Sequence, residues 1–192
     1  MSFDPAGFER LLRRAGRLDA DALENLVALY SPRVFGLLLR MTGSRETAED
    51  LLQETFLRMV RTIPEYQHDG RFDAWLFRIA ANLARDHRRK SRRRGVAVRI
   101  DQAEDNLSFV SREPADVRQI RPDAEVMTRE SRQRVQEMLQ ALPDAEREII
   151  LLRHFAELPF REIAEMLGVP LGTALARAHR ALKKLRELMD SE

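Results

Sequence analysis

The sequence predicts an all-α fold of two small helical domains joined by a linker, and three observations carry the prediction. Apolar residues recur at helical spacing through most of the 192 residues, while alternating apolar residues are scarce. Helix start and stop residues punctuate that period. From 96 to 125 the period disappears in an acidic stretch that holds Pro114 and Pro122 and few large apolar groups, so the domains are placed at 1–95 and 126–192 around an acidic linker.

In chain order, Phe8, Leu11 and Leu12 suggest a short opening helix. Leu23, Leu26, Val27 and Tyr30 mark a second helix. Val34, Leu37, Leu38 and Met41 mark another, ended by Thr42 and Gly43. Ser44 can cap the next, with Glu46 and Glu49 near its positive end. That helix puts Ala48, Leu51, Leu52, Thr55, Met59 and Val60 on one face, and Pro64 closes it. After a polar loop, Phe72, Trp75, Leu76, Ile79 and Leu83 define the core face of a long helix that ends near Gly95. Beyond the linker, Val135, Met138, Leu139 and Leu142 form a helix stopped by Pro143, and Asp144 can cap the next, through Phe155. Phe160 to Leu167 is short and ends at Gly168, a good left-handed C′ residue. Leu171 to Met189 is the last helix. The short helix, glycine turn and longer basic helix read as a helix-turn-helix.

Composition excludes several functions. The chain has no Cys, so it has no disulfide scaffold, thiolate metal site or cysteine nucleophile. It lacks the phosphate-cradling, dinucleotide, zinc-protease and nucleophile-elbow motifs. The four His are scattered without ligand-like neighbours, so no catalytic residue, metal or cofactor is expected. No signal-peptide pattern opens the chain and no apolar run reaches the roughly 18 residues of a membrane span, so a cytoplasmic location is expected.

Charge is unevenly spread. The net value is only +2, yet Arg85–Arg94 carries seven Lys/Arg and one Asp, and Leu171–Leu188 five Lys/Arg and one Glu. The stretches 19–57 and 100–125 each carry seven acids against three Arg. Such a chain suits both a polyanion and a protein partner. Arg78, Asn82, Arg85 and Arg89 recur at i, i+4, i+7 and i+11, one stripe of the long helix. Arg meets phosphate or guanine as a planar fork, and Asn can read an adenine edge. In the loop before it, Tyr66, His68 and Phe72 alternate with Gln67, Asp69 and Arg71, groups able to stack on and hydrogen-bond an unstacked base, or simply to pack. On the preceding helix, Asp50, Glu54, Leu57 and Arg61 recur at the same spacing with Gln53 beside them, an apolar residue in an acidic stripe. Spacing alone leaves that stripe open between a docking surface and an ordinary exterior.

The run Asp50-Leu51-Leu52-Gln53-Glu54-Thr55-Phe56, followed by Phe72-Asp73-Ala74-Trp75-Leu76-Phe77-Arg78-Ile79-Ala80-Ala81-Asn82, resembles the promoter-melting domain of extracytoplasmic-function (ECF) sigma factors. Leu142-Pro143, Leu152-Arg153-His154-Phe155, Phe160-Arg161-Glu162-Ile163-Ala164 and Leu167-Gly168-Val169-Pro170-Leu171-Gly172-Thr173 resemble their second domain. The resemblance covers roughly 20–92 and 130–188, in order. It implies a non-enzymatic protein that binds bacterial RNA polymerase core and promoter DNA, with an anti-sigma factor as a further partner by analogy. Asp50, Gln53, Glu54 and Leu57 would dock on the polymerase. Tyr66, Gln67, His68, Arg71 and Phe72 would hold a base flipped from the minus-ten element, and Arg78, Asn82, Arg85 and Arg89 would contact that element. Thr173, Arg177, His179, Arg180, Lys183 and Lys184 would face the minus-thirty-five element.

One departure concerns the last helix. Family members often place a basic residue and a Ser after the Gly-Thr-Val of the recognition helix, where this chain has Leu175 and Ala176 after Gly172-Thr173-Ala174. Leu171, Leu175, Leu182, Leu185 and Met189 also form a leucine-rich stripe. Either the helix is slightly repacked and still binds, or base reading is weakened and phosphate contacts or a protein partner compensate. Two other functions stay open on sequence: a stand-alone helix-turn-helix regulator, which leaves 20–92 unexplained, and a protein-interaction adaptor that no longer reads DNA.

Overall fold

The computed structural model describes residues 5–93 and 129–190. Among them are eight α-helices and no strand: α1 (Pro5–Ala15), α2 (Ala20–Thr42), α3 (Arg45–Thr62), α4 (Phe72–Arg93), α5 (Arg129–Gln140), α6 (Asp144–Phe155), α7 (Phe160–Leu167) and α8 (Leu171–Asp190). A short 3-10 turn, Ile63–Glu65, carries Pro64 and ends α3. The acidic segment 96–125, read as a linker, lies outside the described residues.

Local chemistry sets the helix ends. Asp19 accepts the Ala22 N–H at 2.9 Å and so caps α2. That bond, with a second from Arg14, holds the Asp19 carboxyl below its usual range. Gly43, at φ +75, closes α2 in the left-handed conformation that a side chain would strain. Ser44 caps α3 through the Thr47 N–H.

One expectation fails in α2. The two helices read over 23–41 are a single helix of 23 residues with Pro32 inside it. A proline removes one backbone donor and crowds the preceding turn. Here burial on both sides of Pro32 outweighs that cost, because Leu26, Tyr30, Val34, Leu37, Leu38 and Met41 all enter the core. By length and composition alone this helix could cross a membrane, contrary to the run-length reading of the sequence. In the fold it is the central core helix, packed on α1, α3, α4, α5 and α6.

The helices form two groups, α1–α4 and α5–α8, that share one buried cluster running from Leu12 to Ala181. Phe72, Phe77, Leu76, Leu37 and Leu38 anchor the first group, and Ile149, Leu151, Leu152 and Ile163 the second. Each such side chain, fully removed from water, contributes about 1.5–3 kcal/mol before entropy is counted. Gly36 lets the groups meet, because a Cβ there would lie 2.4 Å from the Phe155 ring. Arg33 Nε donates to the Phe155 carbonyl at 2.8 Å, and Gln140 Nε2 to the Arg40 carbonyl at 3.0 Å.

Candidate nucleic-acid interface

The candidate interface is built on α4. Gly70, at φ +83, turns the chain into it, and Asp69 accepts the Arg71 N–H at 3.1 Å. The helix buries Phe72, Leu76, Phe77, Ala80, Ala81 and Ala84, which leaves its polar residues outward. Arg78, Asn82 and Arg89 are exposed as expected, and Arg89 pairs with Asp86 at 3.1 Å.

The predicted stripe divides at Arg85. That residue hydrogen-bonds the Asn82 side chain, yet its Nε lies 3.2 Å from Glu148 of α6. Arg88 and Arg92 turn the same way and share the Asp144 carboxylate. One flank of α4 therefore faces α6 and the other faces α3.

Between α3 and α4 lies a pocket of about 260 Å³, lined by Arg58, Arg61 and Thr62 of α3 and Trp75, Ile79 and Asn82 of α4. Its lining combines the apolar surface of Trp75 and Ile79 with two guanidinium groups and one amide, the Arg58 guanidinium being tied to Glu54 at 2.7 Å. Such a site suits a planar, acceptor-bearing group: an aromatic wall stacks it and fixed donors orient it. Trp75 is half-buried: it packs against the core, 5.3 Å from Phe72 between ring centroids, and lines this pocket with the rest of its surface.

The loop supports the pocket from one end. Tyr66 lies 4.7 Å from Trp75 between ring centroids, tilted by 35°, and 5.5 Å from Phe72. Burial, with Asp69 and Asp73 nearby, pushes the Tyr66 phenol up to about 12. Gln67 and His68 are exposed, and the Tyr66 hydroxyl lies 3.3 Å from His68 Nδ1. Arg71 is exposed but paired with Glu165 of α7 at 2.9 Å. Phe72 is a correction. It is 1% exposed, packed against Tyr30 and Phe8, and in this arrangement backs the loop without presenting a surface to a ligand.

On α3, Asp50, Gln53 and Leu57 are exposed and Glu54 is half-exposed, held by Arg58 at 2.7 Å. Leu57 keeps half of its surface in solvent beside these polar groups.

The helix-turn-helix is formed by α7 and α8. Gly168 adopts φ +65, and the Val169 N–H returns to the Ala164 carbonyl at 3.0 Å. Ala174, Ala178 and Ala181 bury one face of α8, small enough for it to lie close on α6 and α7. His179, Arg180, Lys183 and Lys184 are exposed, Thr173 and Arg177 half-buried. Arg180 is tied to Glu146 at 2.7 Å. Leu171, Leu175, Leu182 and Met189 stay exposed along one side of the helix.

Sequence reasoning missed Arg58, Arg61 and Thr62 as pocket residues. The signal was present: they sit at i, i+3 and i+4 on α3, opposite Trp75, Ile79 and Asn82 at i, i+4 and i+7 on α4. Only the packing of the two helices makes these sets face each other.

Family models for sigma-70 region 2 and sigma-70 region 4 match residues 26–94 and 132–185. The ECF RNA polymerase sigma factor SigW of Bacillus subtilis is 31% identical over 93% of this chain and 95% of its own. The chain belongs to the ECF family of RNA polymerase sigma factors. It functions as an alternative sigma factor, and its fold is shared by solved structures that include two complexes. One is CnrH in complex with the cytosolic domain of CnrY, with a TM-score of 0.67 and 22% identity over 95% of this chain and 96% of that one. The other is the sigma factor RpoE in complex with the anti-sigma factor NepR from Bartonella quintana, with a TM-score of 0.65 and 20% identity over 88% and 97%. In this sigma factor, the region 2 match runs from within α2 through α4 and carries the pocket, and the region 4 match carries the helix-turn-helix.

Proposed function

We propose that this sigma factor opens promoter DNA by capturing one unpaired minus-ten base in the pocket between α3 and α4, while its other surfaces hold polymerase core and duplex. The pocket itself is the observation that carries the reading: apolar Trp75 and Ile79 lining one site together with Arg58, Arg61 and Asn82. Extruding a base costs a few kcal/mol of stacking and pairing. A site that accepts only the extruded base offsets that cost, so opening needs no ATP and no catalytic residue.

Tyr66 fixes the Trp75 wall, and Gln67 and His68 flank the entrance. Arg78, Asn82 and Arg89 contact the same element, with Asn82 reading a base edge and the arginines mainly phosphate. Each phosphate neutralised on duplex DNA adds about −0.9 to the log–log salt slope. Asp50, Gln53, Glu54 and Leu57 form the polymerase-docking face, an apolar residue inside a polar rim. The exposed face of α8, with Arg177, His179, Arg180, Lys183 and Lys184, enters the minus-thirty-five major groove, and the half-buried Thr173 lies at its edge. Leu175 and Ala176 give that face fewer polar readers, so phosphate contacts supply more of its affinity. The two domains are 1–95 and 126–192, and the acidic stretch between them tethers the two DNA elements. By analogy with RpoE and NepR, an anti-sigma factor is a further partner. Work on polymerase and promoter places the protein in the cytoplasm.

Run-off transcription with added core polymerase tests this. A sigma factor initiates from defined start sites. A stand-alone operator binder shifts duplex without initiating, and an adaptor does neither.

A further inference from the structure

Few groups on α8 can read a base edge, because two of its exposed positions hold Leu175 and Ala176. The cations along the helix differ in how they are held. Lys183 and Lys184 approach Glu187 of their own helix at 4.0 and 3.9 Å, at the limit of an ion pair. Arg180 instead donates its Nε to Glu146 of α6 at 2.7 Å. Among the described residues it is the one α8 cation ion-paired to another helix.

The two partners are unequal. The Glu146 side chain keeps 13% of its surface in solvent, the Arg180 side chain 57%. Glu146 lies in the first turn of α6, where the helix dipole favours a carboxylate. The acid is the fixed partner, and the arginine reaches outward from it. Buried Ala174, Ala178 and Ala181 already seat α8 against its neighbours, so the ion pair is left to fix one side chain rather than the helix.

With Nε engaged, the guanidinium offers its two terminal nitrogens, which have no partner among the described residues. That edge is a flat pair of donors, the shape that meets the O6 and N7 acceptors of guanine. Charge argues the same way. A carboxylate beside the guanidinium cancels its net charge, so the pair releases little counterion and makes a poor phosphate ligand. A side chain already held in one geometry also loses less freedom on binding. Lys183 and Lys184, point charges on flexible stems, suit the opposite task of phosphate contact.

We propose that Glu146 is a positioning residue that holds Arg180 end-on to a guanine of the minus-thirty-five element, supplying base reading that Leu175 and Ala176 do not. Glu146 touches no base and acts through Arg180. Its carboxylate weakens binding to duplex of any sequence and sharpens discrimination at one position. This rests on the proposed seat of α8 in the major groove, and the lysine controls below separate the two.

Holoenzyme reconstituted from core polymerase and the full chain selects from duplexes randomised across the minus-thirty-five element, and the bound pool is sequenced. The full chain alone is titrated by anisotropy with a random-sequence duplex over a range of salt. Wild type should select a guanine at one position, and Arg180→Lys, which keeps the charge without the fork, should lose that preference. Glu146→Gln should cut the preference about tenfold, as for a lost bidentate contact, yet bind random duplex more tightly and steepen the log–log salt slope by up to about 0.9. Glu146→Asp, shorter but equally charged, should lose preference without the steeper slope. A merely structural role would lower both affinities together. Guanine preference kept in Glu146→Gln, or lost along with affinity for random duplex, overturns the positioning role, even where Lys183→Ala and Lys184→Ala weaken binding. No weakening from those two lysine variants overturns the groove reading of α8, and the Glu146 role with it.

Discussion

Tyr66 lies across Trp75, ring centroids 4.7 Å apart, so the loop before α4 is fastened to the wall of the α3–α4 pocket. Loop and pocket thus act as one unit, and a change in either ring reaches the site where an unpaired base would sit. The half-buried position of Trp75 also separates its structural contribution from its role in the pocket.

That separation is measurable. Phe77→Ala removes a fully buried ring and should cost about 3–5 kcal/mol of unfolding free energy. Trp75→Ala should cost clearly less, yet abolish promoter opening while leaving binding to core intact. Chemical denaturation and permanganate footprinting of the two variants, side by side, check the contrast. Equal stability losses would place Trp75 in the core after all.

Asn82 and Arg89 occupy one exposed stripe but offer different chemistry. Asn82→Ala should change which minus-ten sequences are used, whereas Arg89→Ala should weaken all of them alike and flatten the salt slope by about one. Competition among a pool of minus-ten variants reads both effects. Uniform loss from both substitutions contradicts the division of labour.

Arg147 is 3% exposed and binds the side chain and carbonyl of Gln140 and the Leu142 carbonyl. Burial, reinforced by Arg88, lowers its guanidinium to about 10, still charged at neutral pH. Arg147→Ala strands those acceptors and should cost at least about 2 kcal/mol, visible as a lower denaturation midpoint. A midpoint within error of wild type would mean that water takes over the acceptors.

Glu148 predicts a pH effect. Burial pushes its carboxyl up; Arg85, Arg88 and Arg177 oppose that, and Asp144 adds to it. A carboxyl raised in the folded state binds more protons there than when unfolded, so stability falls as pH rises from the ordinary value of 4.5 through the raised one. Glu148→Gln removes this term. The variant should melt higher than wild type at neutral pH, with the gap closing toward pH 4.5. A gap that is constant with pH, or reversed, contradicts the account.

Much of this was legible in the residues, for reasons that can be named. The apolar period of α3, α4 and α8 and the caps at Ser44 and Gly168 are local signals, and all of them hold. The region 2 and region 4 motifs lie inside single helices and turns, so the family could be read as well. What sequence missed is tertiary. The apolar period over 23–41 reads as two helices because it is local, whereas the burial that keeps α2 continuous through Pro32 comes from five neighbouring helices. Phe72 carries two readings in the sequence, core face of α4 and base-holding loop, and the structure keeps the first: it is 1% exposed behind the turn at Gly70. Arg85 shares a stripe with Asn82 but meets Glu148, which is 63 positions away in sequence and invisible to any helical period.

The central claim is that the α3–α4 pocket captures an unpaired base while core polymerase holds the promoter. Permanganate probing of thymines at mapped start sites, with holoenzyme reconstituted from wild-type protein and from Trp75→Ala, tests it most directly. Wild-type holoenzyme should give reactive thymines just upstream of the start, and the variant holoenzyme, though assembled on the same DNA, should give none. An assembled wild-type holoenzyme with no reactive thymine, or a variant with an undiminished bubble, would contradict it.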